Sequence, residues 1–221
     1  MSWLYQILVR ALIAFTVLPI HECAHGYVAY KLGDDTAKRM GRLTLNPLKH
    51  FDLFGTTAMI LTGFGWAKAV PINASRFKHP KYGMAVSALA GPVSNILVAL
   101  ISMVLYKTAI IVSSLYPDTY QVMYWAVEIL VIMISVNVSL AVFNLIPIPP
   151  LDGSRVASVL LPEKIYFGLM KFERIIFLVF ILVVYSGILE APLAQARIWM
   201  FNVLDWLTLP FDLLIGVLIG R

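Results

Sequence analysis

Charged residues and cysteines are scarce in this 221-residue chain. Only 13% of its residues are charged, against roughly 25% in soluble domains, whereas 60% are hydrophobic. Cys23 is the only cysteine, which excludes an intramolecular disulfide. No low-complexity run or long linker marks a domain boundary. We therefore expect residues 1–221 to form a single domain.

Long apolar runs recur along the whole chain and indicate a membrane protein. A helix needs about 20 apolar residues to cross a hydrocarbon core of about 30 Å. The candidate spans are residues 2–31, 83–115, 120–146, 174–189 and about 193–218. The predicted fold class is an all-α polytopic membrane protein with about five transmembrane helices and no separate soluble domain.

The apolar segment 53–73 has a poor composition for a straight spanning helix. It contains three Gly, a Pro and clustered Thr. Irregular backbone at membrane depth is tolerated only where protein or a water-filled cavity satisfies its polar groups. We expect a membrane-inserted hairpin or re-entrant segment here, beside a hydrated site.

The basic excess, a net charge of +5, orients the spans. If the loop after the first span is cytoplasmic, all but three of the 17 Lys and Arg lie on that side, the exceptions being Arg10, Lys107 and Arg197. This predicts a multi-pass protein of the cell (plasma or inner) membrane with its N-terminus outside. In so apolar a chain the charge anchors loops, and no nucleic-acid partner is expected.

The sequence H-E-C-A-H at residues 21–25 has the spacing of a zinc site. His21 and His25 are i and i+4 on a helix, so both imidazoles project from one face. Glu22 stands where H-E-x-x-H hydrolases carry the general base. Such a short pattern can arise by chance. A carboxylate between two imidazoles in an apolar span, however, costs at least ~2.5 kcal/mol on insertion and would need a partner such as a metal.

Two histidines leave a zinc site incomplete, and Asp152 is the candidate third ligand. It follows Pro147, Pro149 and Pro150, which end the third span, and precedes the flexible Gly153. The first and third spans run in the same direction, so their far ends lie near one membrane face. The alternative for Asp152 is a helix N-cap for a segment starting at Ser154, and both roles are compatible.

Together these motifs resemble the site-2 protease family of intramembrane metalloproteases. The resemblance pairs H-E-x-x-H with N-x-x-P-x-P-P-L-D-G at 144–153. It also includes F-G-W-A-K-A-V-P at 64–71, similar to the family's membrane-inserted hairpin, and A-G-P-V-S-N at 90–95. It covers residues 15 to about 160. The family form implied is a short one without an added soluble domain.

The resemblance implies a fold and a mechanism. A three-helix catalytic core would occupy about 1–160, with further helices at about 174–221. One Zn²⁺ per chain would be bound by His21, His25 and Asp152, with Glu22 as general base. The site would face the cytoplasm and cleave transmembrane proteins in or near the bilayer, as in regulated intramembrane proteolysis. Substrate choice would rest on the core, the hairpin, the termini or a separate regulatory or substrate-presenting protein.

The resemblance also implies that Asn144 and Asn95 bind the substrate backbone or the developing oxyanion. For Asn95, hydrogen bonding between helices beside Gly91 is an equal alternative.

Two other functions use similar residues. A membrane di-iron oxygenase would need more ligands than the four histidines readily give, and a metal transporter or sensor could use the same four site residues for transit.

Overall fold

The computed structural model describes residues 3–62, 65–162, 165, 168 and 171–219, and within these ranges it contains helices and no β-strand. The all-α prediction is confirmed. The helices are α1 (Trp3–Lys31), α2 (Thr36–Arg39), α3 (Leu53–Thr62), α4 (Pro80–Leu115), α5 (Tyr120–Asn144), α6 (Asp152–Ala157), α7 (Glu173–Tyr185), α8 (Glu190–Leu207) and α9 (Leu209–Ile219).

Among the described residues, three helices have the length and composition to cross a membrane. They are α1, α4 and α5 with the turn that precedes it. A fourth crossing is obtained if α7 and α8 are counted as one span, although they are bent by 86°. Large apolar side chains such as Leu97, Ile101 and Leu105 along α4 are exposed, as in a helix that faces lipid. The protein is a multi-pass membrane protein, and five spans is an approximate count.

Helix α1 contains a π-helical turn at Ile13–Val17, just before the histidine motif. The Thr16 hydroxyl donates to the Leu12 carbonyl at 2.6 Å, and Pro19 has no N–H to donate within the helix. These two residues weaken the regular hydrogen-bond ladder, which explains the local widening. The regular helix resumes at Leu18 and carries the motif to Lys31.

The segment after α3 turns back on itself, as predicted for residues 53–73. Trp66 N–H donates to the Gly55 carbonyl at 3.3 Å, and Lys68 N–H donates to the His50 carbonyl at 2.9 Å. The outward limb is α3, and the returning limb is residues 65–73, which form neither helix nor strand. Alternate residues 66, 68 and 70 of this limb donate main-chain hydrogen bonds, a pattern typical of extended chain, so we call residues 65–73 the extended limb. Phe64, the first residue of the hairpin motif, lies outside the described residues. Insertion of this segment into the membrane stays a prediction.

The helices group into two compact units, Met1–Ser94 with Phe143–Ile188 and Asn95–Val142 with Leu189–Arg221. In the second unit, Ala99, Met103, Ile134, Val138 and Leu204 form a buried apolar cluster. Buried Lys107 pairs there with Asp205 at 2.8 Å and with Asp212. A lysine in an apolar helix needs such partners. The first unit contains the histidine motif, and the single domain stays a prediction.

Buried Asp34 ties the end of α1 to the chain beyond the extended limb. Its carboxylate accepts hydrogen bonds from Asn73 N–H at 2.6 Å and Thr36 N–H at 3.0 Å, and Arg76 lies 4.0 Å away. Burial raises the pKa of the Asp34 carboxyl, but these hydrogen bonds and Arg76 outweigh burial and lower it below its usual value.

We expect Asp34→Asn to lower the free energy of unfolding by about 2 kcal/mol at pH 7, because bonds to an ionised acceptor are lost. The folded pKa is below the unfolded value of about 3.9, so the difference from wild type should be complete at neutral pH and shrink as pH falls below about 4. Thermal unfolding in detergent across pH measures it, with exposed Asp118→Asn as control. A difference that does not change with pH would contradict this role.

Candidate metal centre

Two imidazoles and one carboxylate converge in the first unit. His21 and His25 are buried, one turn apart on α1, with their Nε2 atoms 3.0 Å from each other. Asp152 Oδ2 lies 3.3 Å from His21 Nε2 and 3.2 Å from His25 Nε2. The three residues predicted as ligands therefore form one group, with their ligand atoms facing a common point.

The spacing of these three atoms fits a metal ion. A tetrahedral zinc site with bonds of about 2.0–2.1 Å keeps its ligand atoms roughly 3.3 Å apart. His25 Nδ1 lies 2.7 Å from the Ser87 carbonyl, which can only accept, so the proton of the neutral ring is on Nδ1. The Nε2 lone pair then faces an anionic carboxylate, and a cation between them relieves that repulsion.

Gly91 on α4 makes room for both rings. A Cβ atom at this position would lie 2.4 Å from Cε1 and Nε2 of His25 and 2.6 Å from Cε1 of His21. No side chain larger than hydrogen fits without displacing the rings. Ser87, one turn earlier on the same helix, supplies the carbonyl that orients His25. Helix α4 thus fixes the rotation of the imidazoles that α1 carries.

Asp152 is the first residue of α6, and the N-cap position belongs to Leu151 without a side-chain cap bond. The alternative of an Asp152 N-cap is therefore wrong, and its carboxylate turns toward the imidazoles. A side chain at Gly153 would collide with the Leu145 carbonyl at 2.2 Å, so glycine permits this tight turn.

Glu22 lies beside the ligand group and outside it. Its carboxylate accepts a hydrogen bond from Val70 N–H in the extended limb at 2.8 Å. Val70 is buried, and its side chain packs where Gly26 leaves space on α1. The carboxylate is therefore held in place by main chain and is not a ligand of the three-residue group.

The structure places the two predicted substrate-binding asparagines in different units. Asn144 is half-buried at the end of α5, in the first unit with the ligands. Asn95 belongs to the second unit, where its side chain is fully buried and neither amide atom has a hydrogen-bond partner among the described residues. Their substrate roles stay predictions.

Sequence reasoning gave no role at the centre to three residues that contact it, namely Ser87, Gly91 and Val70. Gly91 belongs to the A-G-P motif, which was a signal of family but not of contact with the imidazoles. Ser87 and Val70 act through main-chain groups, so their residue types do not indicate the role.

The chain matches the model of peptidase family M50 over residues 10–186. This chain belongs to that family. The predicted resemblance to site-2 proteases is thereby confirmed, and the protein is a membrane metalloprotease. The match includes both ligand segments, α1 and the start of α6.

Curated relatives agree with this assignment. "Putative zinc metalloprotease YwhC" of Bacillus subtilis (strain 168) is 36% identical over 200 residues, which is 90% of this chain and 86% of the relative. "Putative zinc metalloprotease Rip2" of Mycobacterium tuberculosis (strain ATCC 25618 / H37Rv) is 29% identical over 201 residues, covering 89% of this chain and 70% of the relative. No solved structure matches the chain.

We expect Gly91→Ala to abolish tight metal binding, because its Cβ occupies the space of both imidazoles. The measurement is metal content per chain after purification, together with thermal unfolding. Gly216→Ala is the matched control, since a Cβ there meets nothing within 4 Å. A folded Gly91→Ala protein that keeps its full metal content would show that the ligand geometry is wrong.

Proposed function

We propose that this chain is a zinc-dependent intramembrane endopeptidase that hydrolyses peptide bonds in or near the transmembrane segments of membrane proteins. The observation that carries the proposal is that Asp152 converges with His21 and His25, which lie on a helix of membrane-spanning length. The Glu22 carboxylate is held beside this group. The zinc in the names of the relatives agrees with this donor set of two imidazoles and a carboxylate.

His21, His25 and Asp152 would hold one zinc ion per chain. When bound, zinc polarises the scissile carbonyl and makes water acidic enough to ionise near neutral pH. Glu22 takes the proton from the attacking water and delivers it to the leaving amide nitrogen, so that one water is consumed for each bond broken. Asn144, and Asn95 as the second candidate, would donate to the substrate carbonyl as it gains negative charge.

The extended limb suits the binding of an unwound substrate. Trp66, Lys68 and Val70 direct their N–H groups toward Gly55, His50 and Glu22. In an extended chain the intervening residues face the other way. Ala67 and Ala69 have N–H groups without an acceptor among the described residues, and they could pair with a substrate strand. Pro71 has no N–H and would end that pairing.

The charge distribution supports a cytoplasmic-facing site and an outside N-terminus in the cell membrane, as the positive-inside rule predicts. A substrate helix would enter from the bilayer, unwind and pair with the limb. We propose that the physiological setting is regulated intramembrane proteolysis, in which a separate protein presents or restrains the substrate. The catalytic part would be a single domain.

The two alternative functions gain no support. A di-iron site needs a second set of ligands, and within the described ranges the ligand groups of three or more comprise His21, His25 and Asp152 alone. His50 instead bonds to the Thr44 carbonyl at 2.8 Å. A transit site for metal would give no reason for main chain to hold Glu22 outside the ligands.

We expect Glu22→Gln to keep its zinc and to cleave a co-expressed single-span membrane protein about 10²- to 10⁴-fold more slowly, because the proton acceptor is lost. Cleavage is measured by the appearance of the shortened fragment and its new N-terminus. Exposed Glu190→Gln is the matched control and should cleave at the wild-type rate. Unchanged cleavage by zinc-loaded Glu22→Gln would refute this mechanism.

A further inference from the structure

Arg42 is a buried arginine without a carboxylate partner among the described residues. Only 7% of its surface is exposed, and its Nε atom has no hydrogen-bond partner within the part of the chain that the structure describes. Burying a charge is costly unless its hydrogen bonds are satisfied. The hydrogen bonds that the buried guanidinium does make must therefore offset the cost of burying its charge.

The partners of the Arg42 guanidinium are main-chain carbonyls of the extended limb. Nη2 donates to the Lys68 carbonyl at 2.7 Å and to the Ala69 carbonyl at 3.3 Å. The main-chain N–H of Lys68 donates to the His50 carbonyl. Residue 68 is therefore fixed through both of its main-chain groups, two residues before Val70.

This clamp acts next to the general base. Val70 N–H, two residues beyond Lys68, is the donor to the Glu22 carboxylate. The Val70 side chain fits against Gly26, where an added Cβ would lie 3.0 Å from it. A shift of residues 68 and 69 would carry the Val70 N–H away from the carboxylate, because the Ala69 carbonyl and the Val70 N–H belong to the same planar peptide group.

We infer that Arg42 is a positioning residue for the proposed reaction: by clamping the carbonyls of Lys68 and Ala69, it places the Val70 N–H that holds the Glu22 carboxylate. This inference rests on the proposed function of Glu22. The limb proposed to pair with substrate thereby also holds the base. Arginine suits the task because its planar fork donates several hydrogen bonds in fixed directions and stays charged.

The first test needs no activity. In the full chain purified with its zinc, amide hydrogen exchange of a peptide covering residues 66–72 should be faster in Arg42→Gln. It should also be faster in Glu22→Ala, which removes the acceptor of the Val70 N–H. Arg39→Gln is the matched control, since Arg39 is exposed and pairs with Asp35, and it should leave this exchange unchanged. Exchange at the wild-type rate in Arg42→Gln would overturn the inference.

The second test asks whether Arg42 acts through the Val70 hydrogen bond. Val70→Pro removes the N–H, whereas Val70→Ala keeps it and controls for the lost side chain. We expect Val70→Pro and Arg42→Gln each to lower kcat by about 10- to 100-fold, the range that misplacement of a catalytic group costs. For Val70→Pro, KM should stay near wild type, because the pairing groups of Ala67 and Ala69 remain.

The double variant Arg42→Gln/Val70→Pro should be no slower than the slower single variant, because both changes remove the same restraint. Arg42→Lys should recover part of kcat, since its ammonium group keeps the positive charge and can donate to one of the two carbonyls. Effects that multiply in the double variant, or loss of bound zinc in Arg42→Gln, would assign Arg42 a merely structural role and overturn the inference.

The two proposals fail differently. Cleavage by zinc-loaded Glu22→Gln at the wild-type rate would refute the proposed function. A different pattern would refute only the positioning role of Arg42: the wild-type protein cleaves, Glu22→Gln is inactive and Val70→Pro is fully active. The proposed function would then still stand.

Discussion

Two imidazole nitrogens and a carboxylate oxygen lie 3.0–3.3 Å from one another. With the lone pairs of both nitrogens directed at the carboxylate, this arrangement is repulsive unless a cation lies between the three atoms. The Ser87 carbonyl contributes to this repulsion, because it holds the proton of a neutral His25 ring on Nδ1 and leaves the Nε2 lone pair facing Asp152. Much of the first unit serves this arrangement. Gly91 makes room for the rings, and Gly153 allows the turn that brings in Asp152.

The surrounding chain also reduces the energetic cost of placing a charged carboxylate on an apolar helix. Glu22 is a half-buried carboxylate on a helix of spanning length. Its cost is reduced by a hydrogen bond from main chain that turns back beside α1. That chain can approach closely because Gly26 has no side chain. The same irregular backbone leaves the N–H groups of Ala67 and Ala69 without an acceptor among the described residues, whereas the interior of a regular helix pairs its N–H groups within the helix.

Local patterns predicted the three residues that converge at the candidate metal centre, because each of the two motifs is itself short and local in sequence. The i, i+4 spacing of His21 and His25 fixes their face of the helix, and the prolines before Asp152 end a span at that point. The residues that shape the site, such as Gly91 and Arg42, act through contacts between distant segments, which spacing cannot reveal. The span count was approximate for a similar reason. Hydropathy does not predict the bend between α7 and α8, where Gly187 has φ +77°.

The coordination shell of the metal tests this account most directly. X-ray absorption at the zinc edge, on protein purified with its metal, reports the type and number of ligand atoms. The account predicts one zinc per chain with two imidazole nitrogens, oxygen for the remaining ligands and no sulfur. A sulfur neighbour at about 2.3 Å, which Cys23 would supply, or a shell without imidazole would contradict it.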